Sequence, residues 1–96
     1  MDDTVYDLAT CLMNVYESKY ELLLPLVLDI VNHKYKNVNI IEHLLDELLD
    51  LPTDKGEELF FFLCDYYSTI SEESAKFYAR EYRNMYKDDL DTKLKV

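Results

Sequence analysis

A single glycine and two prolines in 96 residues leave this chain short of the residues that make tight hairpin turns. Helix is therefore expected in place of a meandering sheet. Two cysteines are too few for the disulfide framework of a small secreted domain. Cys11 and Cys64 each adjoin a leucine within a helical pattern, which fits two buried free thiols. The longest apolar run, Leu22 to Leu28 with Pro25 inside it, falls well short of the about 20 residues a membrane-spanning helix needs. The start Met1-Asp2-Asp3 is acidic where a secretory signal would be basic. A cytoplasmic protein without membrane association is expected.

Basic charge is what the middle of the chain lacks most. From Asn37 to Ala75 ten carboxylates face one base, Lys55. Residues 1–33 carry six acids and one base, whereas 76–96 carry four acids and six bases, so nearly all of the net charge of −10 sits in the middle. A field of one sign raises encounter rates with partners of the opposite sign and costs some self-repulsion in the fold. The expected partner is therefore a basic protein. An acidic disordered tail is excluded by nine Tyr, four Phe and a 49% hydrophobic content, enough for one core.

The pattern predicts an all-α fold, a compact bundle of four to five short antiparallel helices forming one domain over 1–96. Thr4 is the expected cap of a first helix, which places Val5, Leu8, Leu12 and Val15 on one face and ends near Ser18. A second apolar stretch, Tyr20 to Lys34, contains Pro25, so a kink or fresh start is expected there. After a polar link over 34–38, Asn39 with Glu42 fits a capping box, Ile41, Leu44, Leu45 and Leu48 form a core stripe, and Pro52 marks the end. Thr53 or Asp54 opens the next helix, with Leu59, Leu63, Tyr67 and Ile70 toward the core, flanked by Phe60 and Phe62, which are also expected to be buried. Ser71 caps the last, which carries Ala75, Tyr78, Tyr82 and Tyr86 or Met85 along one face.

The acids also fall on helix faces. Glu42, Asp46 and Asp50 stand at i, i+4 spacing with Glu47 beside them, and like charges so placed cost a few tenths of a kcal/mol per pair. Local stability does not explain them. On the next helix Asp54, Glu57, Glu58 and Asp65 lie opposite the core side, with Phe61 among them. The two sets are expected to join around Pro52 into one partner-binding surface. An aromatic ringed by carboxylates has the composition of an interface anchor, and the competing reading packs Phe61 beneath a neighbouring helix.

Nothing in the sequence supports catalysis or a cofactor. It has no phosphate-binding glycine loop and no nucleophile elbow, and exposed carboxylates lack the burial that separates an acid from a base. His43 and Glu47 are one turn apart without a second histidine or a nearby cysteine, so no metal site is expected. The acidic half would repel phosphate, which disfavours direct nucleic-acid binding. Lys76, Arg80, Arg83 and Lys87 form a basic face on the last helix, read as counter-charge to the acidic helices or as a solvated face.

The stretch Gly56-Glu57-Glu58-Leu59-Phe60-Phe61-Phe62 to Tyr67, following a helix rich in leucine and carboxylates, resembles the acidic and aromatic helices of small bacterial immunity proteins. Those families act against tRNA-cleaving colicins and contact-dependent inhibition toxins. The resemblance covers the second half of the chain and is one of size, charge and texture. It implies an inhibitor that binds and masks a basic nuclease toxin domain. The same electrostatics would serve a phage-type DNA mimic or other anti-defence protein, and the tyrosine stripe of the last helix would suit a noncatalytic subunit of a helical assembly.

Overall fold

The computed structural model describes residues 2–86, with side chains from Leu12 onward. Four helices make up the described residues: α1 (Asp2–His33), α2 (Val38–Leu49), α3 (Asp54–Ser68) and α4 (Glu72–Met85). No strand occurs among them. The links 34–37, 50–53 and 69–71 are short and fold each helix back onto the growing bundle. α3 is the hub and packs against α1, α2 and α4.

α1 is one helix where the sequence suggests two. Thr4 lies inside it, not at its cap, and the helix passes through Pro25. A mid-helix proline removes one amide hydrogen and crowds the carbonyl four residues back. Here Pro25 is exposed, so the freed carbonyl of Glu21 faces the solvent side of the helix. The buried residues Leu23, Val27 and Ile30 lie on either side of Pro25 and on one face, so their burial against α2 and α3 holds the helix together across it. At about 1.5 Å per residue α1 accounts for most of the 52 Å long axis of the molecule.

α1 ends without glycine. Lys34 adopts φ 56°, the Lys34 amide donates to the Val31 carbonyl at 3.3 Å, and the Tyr35 amide donates to Ile30 at 3.0 Å. This is a Schellman closure with lysine at the left-handed position.

α2 starts two residues earlier than its expected cap. Asn37 is the N-cap, its side chain accepting from the Ile40 amide at 3.2 Å, so the box on Asn39 and Glu42 does not form. The stripe Ile41, Leu44, Leu45 and Leu48 is buried as its period requires. Thr53 caps α3 through the Gly56 amide at 3.0 Å, and Ser71 caps α4 through Ser74. Gly56, the one glycine, is buried at the α2–α3 turn. A Cβ there would lie 2.7 Å from the Leu51 carbonyl oxygen and 2.9 Å from Leu51 Cγ, so the close approach of the two segments requires glycine.

The core joins α1 and α2 leucines to an aromatic layer between α3 and α4. Phe60 packs on Tyr82 with ring centroids 4.7 Å apart, and Tyr82 on Tyr86 at 4.6 Å. Phe62 faces solvent at 43% exposure, against expectation, because the turn from Phe60 to Phe62 carries it past the α4 contact. Tyrosine hydroxyls tie the elements together. Tyr66 donates to the Tyr35 carbonyl at 2.8 Å and Tyr86 to the Leu49 carbonyl. Cys64 is a buried free thiol that donates to the Ala75 carbonyl at 3.6 Å. Burial pushes its pKa up to about 11, which leaves it an unreactive core residue. The side chain of Cys11 lies outside the described residues.

Candidate functional site

The nine residues singled out as a partner-binding surface divide into two groups. Asp46, Asp50, Asp54, Glu58 and Asp65 are exposed, whereas Glu42, Glu47, Glu57 and Phe61 are half-buried. Asp50 caps the C-terminus of α2 and Asp54 opens α3, so the turn at Pro52 carries acids on both sides. Asp54 and Glu57 occupy the first turn of α3, where the helix dipole favours negative charge. Asp50 has the reverse placement, at the negative end of α2.

Several of these carboxylates have partners inside the molecule. Glu42 accepts a 2.6 Å hydrogen bond from the Tyr67 hydroxyl, and Glu47 pairs with Lys19 of α1 at 3.1 Å. Tyr78 of α4 lies in the field of Asp46 and Glu42. Burial first, then those two charges, push its pKa up to about 12. Burial and then Glu42 raise Tyr67 as well. Tyr82 is raised by burial and then by Glu57, with Tyr86 and Asp54 adding smaller contributions. The acids of α2 and α3 thus border the tyrosine stripe of α4. A tyrosine hydroxyl is a neutral donor that satisfies a carboxylate without cancelling its charge. These acids consequently keep their negative charge while Glu42 is held in place by Tyr67.

Phe61 packs inward. Its ring meets Tyr82 edge-on at 5.3 Å and Phe60 at 5.2 Å, and the Arg83 guanidinium lies 5.7 Å from its centroid. Arg83 is one of the basic residues of α4, and the contact it makes here is with an aromatic ring and not with a carboxylate of α2 or α3. Lys76 pairs with Glu72 on the surface at 3.1 Å, and Lys87 lies outside the described residues. Lys55 extends over the Tyr20 ring at 5.8 Å, so the one base of the acidic segment turns toward α1.

Among the described residues no cluster of histidine, cysteine and carboxylate could hold a metal ion, and no helix is long and apolar enough to cross a membrane. His43 is exposed, while His33 receives its contacts from Asp29 at 2.9 Å and from the stacked Tyr35 ring. The tyrosine partners of Glu42 and Asp46 were not evident from helix faces alone. For Tyr78 the signal available was the spacing Tyr78, Tyr82, Tyr86 along one side of α4 and its C-cap, whereas Tyr67 of α3 stood in the sequence only as a core position. No family model matches the chain, and no curated protein or solved structure matches it.

Proposed function

We propose that this chain is an acidic protein inhibitor of the immunity type, which binds a basic nuclease toxin domain and masks it. The observation that carries the reading is the exposure of five carboxylates, Asp46, Asp50, Asp54, Glu58 and Asp65, on two helices packed together and the turn between them, whose single base, Lys55, extends over the Tyr20 ring. A nuclease must present cationic groups to phosphate, and an acidic helical face fits over such groups without performing chemistry. Glu42, Glu47 and Glu57 contribute to the field from half-buried positions. Phe61 would contribute from beneath, by fixing α4 against α3. The reading assigns no catalytic residue, cofactor or metal. Its nearest rival, a phage-type DNA mimic, would offer the same carboxylates to a DNA-binding groove.

The test is affinity capture from the source cells with the wild-type chain and with Asp46→Lys/Asp50→Lys/Glu58→Lys. The expected partner is a basic nuclease whose cleavage of RNA or DNA stops on addition of an equimolar amount of the wild-type chain. The triple variant should neither capture nor inhibit. Capture of a DNA-binding protein without nuclease activity would favour the mimic. A partner bound equally by the triple variant would remove the acidic surface from the account.

A further inference from the structure

We propose that the outer flank of α1 is a self-association seam, on which a second copy of this chain docks antiparallel. α1 buries Leu23, Val27 and Ile30 against the bundle, yet a second row of mixed aliphatic and charged residues lies on its outer side, with Leu22 70% exposed, Val15 60% and Leu26 52%. The row runs Val15, Lys19, Leu22, Leu26, Asp29, His33, at alternating spacings of four and three, which is the seam of a helix that packs along another helix. It borders a shallow groove of about 540 Å³ between α1 and Glu47. Three exposed aliphatic side chains thus share one line of the helix with charges of both signs.

The seam's own pattern points to the occupant. Leu22 and Leu26 are symmetric about position 24, and so are Lys19 and Asp29, and Val15 and His33. An antiparallel second copy therefore sets Leu22 against Leu26, Lys19 against Asp29 and Val15 against the His33 ring, each pair formed twice across a two-fold axis. That self-complementarity is what an isologous contact requires. A parallel copy would instead oppose Lys19 to Lys19 and Asp29 to Asp29. Lys19 already holds Glu47 at 3.1 Å and Asp29 contacts His33 at 2.9 Å, and an ammonium with three donors and a carboxylate with two oxygens can each take a second partner. The seam touches the acidic residues of α2 at Glu47, through Lys19, and does not rest on the inhibitor reading.

Sedimentation equilibrium of the full chain, from micromolar to millimolar concentration, tests it. The wild type should dimerise, and the association should hold or tighten as salt screens the repulsion between two chains of net charge −10. Binding of a basic partner would weaken with salt, so the two readings fail separately. Leu22→Asp should weaken dimerisation by more than about tenfold with melting unchanged, since the residue is largely solvated in the monomer. Lys19→Asp and Asp29→Lys should each lose self-association, and an equimolar mixture of the two should recover it, because each copy then supplies what the other lacks. A wild type that stays monomeric throughout, a Leu22→Asp chain that dimerises normally, or a mixture no better than its components would each overturn the proposal.

Discussion

Gly56→Ala tests whether the α2–α3 turn is set by close approach or by helix propensity, because the two predict opposite signs. Alanine is about 0.8 to 1 kcal/mol better than glycine inside a helix, so propensity alone predicts stabilisation. The added Cβ would lie 2.7 Å from the Leu51 carbonyl oxygen and 2.9 Å from Leu51 Cγ. Leu51 is fully buried, and its carbonyl accepts from the Thr53 amide at 2.9 Å, so it cannot yield without loosening the turn. Overpacking of this kind costs about 1 to 3 kcal/mol. Subtracting the propensity gain leaves a net loss of about 1 kcal/mol, or roughly 4 to 8 °C in Tm for a domain of this size. Thermal and urea melts of the wild type and Gly56→Ala decide it. An unchanged or higher Tm would refute the steric reasoning and free the Pro52 turn from Gly56.

At the end of α1, Lys34→Gly should stabilise the protein by about 0.5 to 1 kcal/mol, since φ 56° disfavours an L side chain more than glycine's extra backbone freedom disfavours folding. A loss of stability in chemical denaturation would contradict the Schellman closure. Phe61→Ala should cost about 1 to 2 kcal/mol of folding stability, below the 3 to 5 of a fully buried phenylalanine, because the ring is half-buried against Phe60 and Tyr82. A melt that does not change, together with faster dissociation from a captured partner, would make Phe61 an anchor after all. The raised pKa values of Tyr67, Tyr78 (about 12) and Tyr82 set the sign of an alkaline transition. The folded state resists losing these protons, so their contribution is fully present below about pH 10, the unfolded value, and is lost as pH rises toward the folded values. Tm should fall above about pH 10, and a Tm that is level or rising there would contradict the burial of the tyrosines.

Where a helix face is settled by period alone, the sequence is readable. Ile41, Leu44, Leu45 and Leu48 are spaced at 3.6 residues with polar residues between, and they are the buried face of α2. Thr53 and Ser71 precede their helices with a free backbone amide three residues on, and both cap as their chemistry dictates. Pro25 misleads, because a local rule about one missing amide is outweighed by burial of Leu23, Val27 and Ile30 on both sides of it. Asn37 and Asn39 are equivalent cap chemistry two residues apart, and the choice depends on where the Lys34 turn releases the chain. Of the eight acids singled out, Asp46, Asp50, Asp54, Glu58 and Asp65 are exposed as their helix positions suggest, yet which acids bond inward was not legible. Glu42 meets Tyr67 across 25 residues, and Asp46 meets Tyr78 only once α4 docks on α3. Phe61 likewise lies on the acidic side of its own helix and becomes core through Tyr82 of another.

The most direct test of the acidic-inhibitor account is the association rate of the wild-type chain and of Asp46→Lys/Asp50→Lys/Glu58→Lys with the captured basic partner, followed by stopped flow across a salt series. The account predicts fast association that slows by about tenfold or more from low to high salt, and a variant that is slow at low salt and nearly insensitive to it. Equal, salt-independent rates for both chains would contradict it.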